Sequence, residues 1–388
     1  MNLRTVYSGF MIPNKPRLTI GIEEEYFVVN RSTRDLVSEL PPKLLKALEH
    51  PPYGEVSPEY IRSQVEIGTP VSNDTQELSE YLRGMRTFVS DTVSEYDMAI
   101  IASSTHPMAE WSAQRRTEKH RYRSLEQALQ GVVRRLLICG MHVHVEIDDE
   151  DLRIDLMNQV IYFLPHILAL SGSSPFWHGD NTGLKSYRPA VFRSLPRTGL
   201  PDEFRDWSEY ERFVGVLVGA GVIEDSSKLW WDIRPSGRYP TLEMRSSDLC
   251  TRYEDAIAIA ALYQALLAML YQRRLKNQRW RVYSRTLIDE NNWRAQRYGA
   301  SESLIDFGVG QLVPMSVLAE ELIELTSECA QELGSTAHVE RIRDIAAHGT
   351  SADRQLAVFN EAIASGAERH DALVAVVDHL IDETVEGL

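Results

Sequence analysis

Residues 230–250 constrain the fold of this chain more than any other segment. They read Trp-Trp-Asp-Ile-Arg-Pro, then Ser-Gly-Arg-Tyr-Pro, then Thr-Leu-Glu-Met-Arg-Ser-Ser-Asp-Leu-Cys. If the last part is a strand, alternation directs Thr241, Glu243 and Arg245 to one face and the intervening leucine and methionine to the other. The apolar face can pack in a core. The opposite face presents a carboxylate beside a guanidinium, which is typical of a functional site.

The composition is that of a globular protein with an acidic surface. Of its 388 residues, 43% are hydrophobic and 25% are charged, as in ordinary soluble proteins. We predict a single domain over residues 1–388, with a polar lead-in at 1–16, because no linker divides the chain. The net charge of −15 argues against nucleic acid or an anionic membrane as a partner, since both are negatively charged.

Cysteine usage and hydropathy predict the compartment. Cys139, Cys250 and Cys329 are widely spaced and form no CxxC pair, which favours a reducing environment. The first eight residues lack the basic and apolar regions of a signal peptide. We expect the longest apolar stretches, near 161–170 and 256–270, to be too short or too interrupted to span a bilayer. These features predict a cytoplasmic protein.

Strand patterns concentrate before residue 250 and helical patterns after it. The predicted strands lie within 18–29, 60–71, 98–103, 138–147 and 230–247. The predicted helices are 43–49, 74–97, 151–170, 255–274, 314–332, 336–348, 352–365 and 370–385. This distribution favours an α+β fold with a largely antiparallel sheet and helices packed on one side. Residues 171–203 show no period, and their arginines and aromatics favour a functional loop.

Alternation predicts that four separated strands present acidic or imidazole groups on one face. These groups are Glu23, Glu25, Glu66, His142, His144 and Glu243. Two carboxylates about 4 Å apart repel by roughly 4 kcal/mol at an effective dielectric near 20, so such a cluster needs a neutralising partner. A divalent cation is the natural one, and an oxygen-rich ligand set favours Mg²⁺ or Mn²⁺ over zinc.

Three arginines could bind the phosphates that such cations bridge: Arg188, Arg234 and Arg245. The chain contains neither GxxxxGK[ST] nor GxGxxG, so ATP would be held by metal and arginine rather than by a glycine-rich loop. Taken singly, a glutamate on a strand is more often part of a surface ion pair, and two adjacent tryptophans are more often core. Because acidic and imidazole side chains recur on one face of several strands, we favour a functional site.

At these residues the sequence resembles the carboxylate–amine ligase family, the type 2 glutamate–cysteine ligase-like proteins. The resemblance runs from Leu18 to the C-terminus. Its motifs are Gly-Ile-Glu-Glu-Glu at 21–25, Ser-Gln-Val-Glu-Ile-Gly-Thr at 63–69, Thr-His-Pro at 105–107, Gly-Met-His-Val-His-Val at 140–145, Ser-Pro-Phe-Trp-His-Gly at 174–179, Ser-Tyr-Arg-Pro at 186–189, Trp-Asp-Ile-Arg-Pro at 231–235, Pro-Thr-Leu-Glu-Met-Arg at 240–245 and Asn-Asn-Trp-Arg-Ala-Gln-Arg-Tyr-Gly at 291–299.

The resemblance implies a glutamine-synthetase-like fold, in which a curved antiparallel sheet forms a funnel with helices outside. It implies a ligase that uses ATP and Mg²⁺ to phosphorylate a carboxylate, typically the γ-carboxylate of glutamate. An amine such as that of cysteine then attacks the acyl phosphate. A homo-oligomer is expected by analogy.

The resemblance also implies roles for individual residues. The metal shell would comprise Glu23, Glu25, Glu66, His142 and Glu243. The catalytic group would comprise Arg234, Glu243 and Arg245, and the cofactor contacts His144, Arg188, Trp231 and Arg245. Two positions depart from the family pattern, Asn181 where an aspartate is usual and Ser104 where a glycine is common. Because of these two departures, the resemblance does not decide whether cysteine is the acceptor amine.

Two other functions fit parts of the sequence. A metal-dependent hydrolase could use the His142/His144 pair, but that fold would place the pair on an early strand followed by alternating β/α units. A regulatory protein could bind nucleotide without turnover. In such a protein the buried carboxylates would cost folding free energy without serving catalysis, which argues against this function.

Overall fold

The computed structural model describes residues 15–115, 129–132 and 135–388. Most of the predicted lead-in, including the first eight residues, lies outside these ranges. The strands are β1 Ile20–Asn30, β2 Glu55–Pro58, β3 Gln64–Gly68, β4 Met98–Ile101, β5 Met141–Glu146, β6 Phe176–Trp177, β7 Asp180–Asn181, β8 Thr198–Gly199, β9 Trp230–Trp231, β10 Ile233–Pro235, β11 Thr241–Met244, β12 Ser303–Asp306 and β13 Gln311–Pro314.

The helices occupy most of the chain after residue 250 and flank the sheet before it. They are α1 Pro42–Leu48, α2 Thr75–Ser94, α3 Glu150–Val160, α4 Leu164–Ser171, α5 Arg188–Phe192, α6 Trp207–Gly219, α7 Tyr253–Leu275, α8 Arg285–Tyr298, α9 Met315–Glu332, α10 Thr336–His348, α11 Ser351–Ala364 and α12 Arg369–Thr384.

A seven-stranded sheet carries the residues singled out in the sequence. Its order is β10-β11-β5-β1-β3-β2, and β4 pairs with the second half of β1. All the pairings in this sheet are antiparallel. The predicted α+β class, with an antiparallel sheet and a mainly helical C-terminal third, is confirmed. The alternating β/α units expected of a metal-dependent hydrolase do not follow β5, which pairs between β1 and β11.

The central strand β1 shows why the sheet has one polar and one apolar face. Ile20, Ile22, Glu24, Tyr26 and Val28 point to one side and are all buried. The residues between them in the first half of the strand are only half-buried, whereas those in the second half are buried as well. The first half of β1 therefore has one face open to a ligand, and the second half lies in the core.

Glu24 anchors the buried side of β1 through an ion pair with α2. Arg86 donates to Glu24 through Nε (2.9 Å) and Nη2 (2.7 Å), and both side chains are completely buried. The same guanidinium donates to the main-chain carbonyls of Cys250 (2.9 Å) and Thr251 (2.6 Å). The pair thus joins the sheet, α2 and the segment that precedes α7.

Helix α7 is the centre of the helical layer. It contacts α2, α3, α4, α9, α10 and the strands β1 and β5. Nearly every residue from Asp255 to Tyr271 is buried, which explains why the sequence is apolar around the whole helix rather than along one stripe.

Two helical segments, 150–171 and 253–275, are long and apolar enough to cross a bilayer. By length and composition alone they exceed the expectation that the apolar stretches are too short or too interrupted to span a bilayer, although a 3₁₀ turn at Ile161–Phe163 interrupts the first. Within their most apolar windows, 94% and 89% of the residues are buried inside the protein. Core packing accounts for their composition.

Several elements differ from the sequence predictions. The predicted helix 151–170 is two helices, because a 3₁₀ turn at Ile161–Phe163 separates α3 from α4 and Pro165 occupies the first turn of α4. Proline is accepted there because that position has no intrahelical donor to lose. The sequence analysis missed β2, α6, α8 and the hairpin β12–β13.

Replacing Glu24 with glutamine should lower the free energy of unfolding by about 3–5 kcal/mol, because Arg86 would keep its charge without a charged partner in a buried position. Urea unfolding followed by circular dichroism measures this change. Glu320→Gln, which breaks an exposed ion pair with Arg343, should leave the urea midpoint unchanged. A Glu24→Gln variant with the wild-type midpoint would show that the pair is not an anchor.

Candidate active site

The register of the sheet places the predicted polar side chains in neighbouring rows. Arg234 pairs with Glu243, and Glu243 pairs with His144 across β10, β11 and β5. In the next row His142 of β5 pairs with Glu23 of β1. One row further along, Glu25 of β1 pairs with Glu66 of β3. Residues two apart share a face, so these rows form one polar surface.

Glu23 lies between the two histidines of β5. Its Oε2 is 3.1 Å from His142 Nδ1, and its Oε1 is 3.5 Å from His144 Nε2. Burial by itself raises the pKa of Glu23, but its hydrogen bonds and electrostatic interactions with the two imidazoles bring it well below its ordinary value. Burial and the guanidinium of Arg245 together lower the pKa of His142 to about 4. Glu23 is therefore ionised and His142 is neutral near pH 7.

Glu243 is held by two arginines. Arg234 donates to it from Nε (2.7 Å) and Nη2 (3.2 Å), and Arg245 donates from Nη1. Burial opposes ionisation of Glu243, yet the charges of Arg245 and Arg234 hold its pKa far below the ordinary value. Arg245 lies one residue beyond β11. Its main-chain N–H donates to the main-chain carbonyl of Asp232 (2.8 Å), so its side chain continues the alternation of the strand.

Glu25 and Glu66 share the face with a third carboxylate, Glu59. Burial and the charge of Glu59 raise the pKa of Glu25 to about 7. Burial and a hydrogen bond with Glu59 raise the pKa of Glu66 well above its ordinary value. Sequence analysis missed Glu59, although it lies immediately before a predicted strand and seven residues from Glu66. In this part of the face, burial and repulsion from Glu59 outweigh the opposing effect of Arg188 and Arg245 on the pKa of Glu25.

An open cavity of about 160 Å³ adjoins this surface. The sheet contributes its charged side, including Glu25, His142 and Arg245. Leu136, Ile138, Phe192, Leu195 and Trp230 contribute an apolar side. The cavity can therefore bring an apolar substrate group beside the acidic and arginine residues.

Arg188 lines the cavity and holds the main chain beside it. It is 4% exposed, and its Nη1 donates to the main-chain carbonyls of Arg245 (3.1 Å) and Ser247 (3.3 Å). Its guanidinium lies against Gly140, where a β-carbon would come within 2.5 Å of Nη2. Arg188 thus fixes the backbone that follows Glu243, besides lining the cavity.

Trp231 lies elsewhere. It is 6% exposed and packs against Phe204, Tyr210 and Phe213, with ring centroids 5.6 to 6.5 Å apart. Its neighbour Trp230 lines the cavity instead. Adjacent strand residues point to opposite faces, so Trp230 lines the cavity and Trp231, to which the sequence analysis gave a cofactor contact, packs in the core.

The Thr-His-Pro motif organises a loop. His106 accepts the main-chain N–H groups of Met108 (3.2 Å) and Ala109 (3.0 Å) at Nδ1, and its Nε2 donates to the carbonyl of Arg34 (3.0 Å). Burial lowers the pKa of His106 to about 4. The ring is therefore neutral and structural.

The two departures from the family pattern also have local roles. Ser104 accepts the main-chain N–H of Leu249 at Oγ (2.7 Å). Asn181 is exposed, and its Oδ1 accepts the main-chain N–H of Gly183 (2.9 Å). Neither side chain belongs to the polar rows of the sheet.

The face offers a donor set for a divalent cation. Glu23, His144 and Glu243 each present one ligand atom, and these atoms lie within 4.8 Å of one another. Two carboxylate oxygens and one imidazole nitrogen suit Mg²⁺ or Mn²⁺ with further ligands from water or substrate. His142 lies beside Glu23, whereas Glu25 and Glu66 lie one row away. The residues present therefore fit a cation.

Comparisons with known proteins identify the family of this chain. Residues 19–379 match glutamate–cysteine ligase family 2 (GCS2). The chain belongs to this family. A protein of Rhodospirillum rubrum, provisionally named glutamate–cysteine ligase 2, is 54% identical over 96% of this chain and 97% of its own length. A protein of Ruegeria pomeroyi with the same provisional name is 51% identical over 94% of each chain. The predicted resemblance and the predicted class, a carbon–nitrogen ligase, are confirmed.

Solved structures share the fold of this GCS2-family chain. A glutamate–cysteine ligase of Francisella tularensis, determined in complex with AMP, has a TM-score of 0.67 and 13% identity over 95% of this chain and 93% of its own. A bifunctional glutathione synthetase of Pasteurella multocida has the same TM-score and identity, but the matched region is 53% of that chain. At such low identity the likeness establishes the fold alone.

Replacing Gly140 with alanine should lower the steady-state ligase rate about 100-fold, because the added β-carbon displaces Arg188 and shifts the backbone beyond Glu243, and displacements near 1 Å have effects of that order. Gly215→Ala is the matched control, since a β-carbon there meets nothing within 4 Å. A Gly140→Ala enzyme with the wild-type rate would refute the supporting role of Arg188.

Proposed function

We propose that this protein is an ATP- and Mg²⁺-dependent ligase that joins the γ-carboxylate of glutamate to an amine, such as that of cysteine, through an acyl phosphate. The observation that carries the proposal is the polar face itself. It combines a cluster of carboxylates, whose mutual repulsion a cation would relieve, with two arginines that donate hydrogen bonds to Glu243.

The reaction consists of two displacements. A γ-carboxylate oxygen attacks the terminal phosphorus of ATP, and the bond to the ADP oxygen breaks. The amine then attacks the acyl carbonyl carbon, phosphate leaves with the electrons of the C–O bond, and the nitrogen loses a proton. Both steps depend on charge neutralisation and alignment more than on a protein nucleophile.

The cysteine near the site is unsuited to act as a nucleophile. Cys139 is completely buried, and its thiol lies 3.1 Å from the side-chain nitrogen of Gln64. Burial and the charge of Glu25 raise its pKa well above the ordinary value. The thiol is therefore protonated, which agrees with chemistry carried by the bound reactants.

The two arginines on Glu243 have different tasks in this proposal. Arg234 is tied down, because its Nη1 also donates to the main-chain carbonyls of Ser227 (2.8 Å) and Leu229 (2.8 Å). Arg245 keeps more of its five donors for a ligand, and its buried Nε has no hydrogen-bond partner among the described residues. We assign phosphate stabilisation to Arg245 and positioning of Glu243 to Arg234.

Magnesium would supply charge neutralisation for the triphosphate and for the acidic face when bound. Glu23, Glu25, Glu66, His142 and Glu243 would hold it. The raised pKa values of Glu25 and Glu66 support this assignment, since strongly perturbed groups in a cleft mark functional-site candidates and a cation would relieve the repulsion between carboxylates.

The apolar side of the cavity would receive the side chain of the amine. Leu136, Ile138 and Leu195 lie there, opposite the charged face. A cytoplasmic location and a homo-oligomeric state belong to the same proposal and rest on analogy with enzymes of this kind.

A hydroxylamine trap tests the proposed activity. Wild-type protein with ATP, Mg²⁺ and glutamate should form γ-glutamyl hydroxamate, because hydroxylamine intercepts an acyl phosphate. Glu243→Gln should reduce its formation by on the order of 100-fold or more, since it removes a carboxylate that would hold the cation and that accepts a hydrogen bond from Arg245. Mass spectrometry measures the hydroxamate, and circular dichroism checks the fold.

The control variant is Glu110→Gln, which alters a surface carboxylate beside His178 and should react at the wild-type rate. Full activity of Glu243→Gln would refute the role of this face. Absence of hydroxamate from wild-type protein that binds ATP, across a panel of amino-acid carboxylates, would favour the regulatory function instead.

A further inference from the structure

Three arginines line a second cavity, away from the polar rows of the sheet. Arg252 immediately precedes α7, Arg341 belongs to α10, and Arg354 belongs to α11. The cavity has a volume of about 370 Å³, within the range of roughly 300–1,000 Å³ that is usual for small-molecule sites. None of its lining residues was singled out by the sequence analysis.

We propose that this cavity binds a phosphate group, either as inorganic phosphate or as the phosphate of a small metabolite. Arginine binds carboxylate and phosphate through paired donors. A carboxylate offers two oxygens in one plane, whereas a phosphate group offers three acceptor oxygens, one for each of the guanidiniums. The proposal is independent of the ligase reaction, because it uses none of the residues assigned to that reaction.

Two carboxylates hold the three arginines in place. Asp255 lies between Arg341, whose Nε donates to it (2.8 Å), and Arg354, whose Nη2 is 3.7 Å away. Glu383 lies between Arg354, whose Nε donates to it, and Arg252, whose Nε is 3.0 Å away. Three positive charges thus alternate with two negative charges, in the order Arg341, Asp255, Arg354, Glu383, Arg252.

The arginines keep donors for a ligand, because the shortest of these contacts use Nε. Three guanidiniums carry about 15 N–H donors, whereas two carboxylates offer about eight lone-pair sites. Arg354 Nη1 donates to the carbonyl of Gly349 (3.2 Å), but its Nη2 is buried and has no hydrogen-bond partner among the described residues. A buried donor without a partner costs free energy, and an anion in the cavity would satisfy it.

Three further carboxylates near the arginines oppose an anion only weakly, because solvent and salt screen them. Asp344 is exposed where it lines the cavity. The side chain of Glu254, 3.9 Å from Arg341, is 38% exposed, and that of Glu386, 3.0 Å from Arg252, is 58% exposed. The buried carboxylates Asp255 and Glu383 are each neutralised by two arginines.

One face of α10 forms a wall of the cavity. Arg341, Asp344, Ile345 and His348 line it, at the spacing i, i+3, i+4, i+7 of a single helix face. Arg343 is not on this face and instead pairs with Glu320 at the surface. The same helix therefore supplies both a test position and a control position of equal charge.

Titration calorimetry with inorganic phosphate, without ATP or divalent cations, tests the proposal. Arg341→Gln should raise the dissociation constant on the order of 10- to 100-fold, as expected when a charged hydrogen-bonding group is lost. Arg341→Lys should also bind more weakly than wild type, because an ammonium cannot reproduce the planar fork of arginine. Arg343→Gln removes the same charge from α10 and should bind phosphate with wild-type affinity.

Hydrogen–deuterium exchange locates the bound phosphate. In wild type, phosphate should slow amide exchange in peptides that cover residues 341–354, and Arg341→Gln should remove this protection. Circular dichroism checks the fold of the variant. Arg252→Gln removes the guanidinium at the other end of the charge sequence and should weaken binding to a similar extent, which provides a second test if Arg341→Gln unfolds.

Phosphoserine, titrated in the same way, distinguishes the two sources of the phosphate group. Tighter binding of phosphoserine would identify a phosphorylated metabolite as the ligand, and tighter binding of inorganic phosphate would identify the free ion. Absence of binding by both, protection confined to residues 241–247 of the active site, or equal weakening by Arg341→Gln and Arg343→Gln would overturn the proposal. So would equal affinity for malonate, which carries carboxylates only.

Discussion

Repulsion between carboxylates that share one face of the sheet is the constraint around which the site is built. Strand alternation places Glu23 and Glu25 on the same side, and antiparallel pairing adds Glu66 and Glu243 from neighbouring strands. The two ends of this acidic surface are balanced differently. At Glu23 and Glu243, histidines and arginines stabilise the ionised form, whereas burial and neighbouring carboxylates raise the pKa values of Glu25 and Glu66.

The same alternation ties the site to the core. Glu24 points away from its two neighbours and pairs with Arg86, whose other donors reach the carbonyls of Cys250 and Thr251. Those carbonyls lie a few residues beyond Arg245. A single strand therefore carries ligand candidates on one face and, on the other, the ion pair that holds the backbone after the arginine.

Much of this could be predicted because the strand period alone separates Glu23 and Glu25 from Glu24, and Glu243 and Arg245 from Leu242. The family motifs supplied the fold and the enzyme class. The groups that each of these side chains contacts could not be predicted in the same way. Whether His142 or His144 meets an arginine or a hydroxyl depends on register with β11, and whether Trp230 or Trp231 faces the cavity depends on how β9 is oriented. Glu59 reaches the site through a strand connection that has no periodic signal.

The most direct test is a crystal structure of the protein with Mn²⁺ and a non-hydrolysable ATP analogue, using the anomalous signal of manganese. The account predicts manganese peaks on the polar face, at a coordination distance of about 2.1 Å from carboxylate oxygens of Glu23 and Glu243, with the triphosphate beside Arg245. Manganese and triphosphate bound away from this face, with these carboxylates uncoordinated, would contradict it.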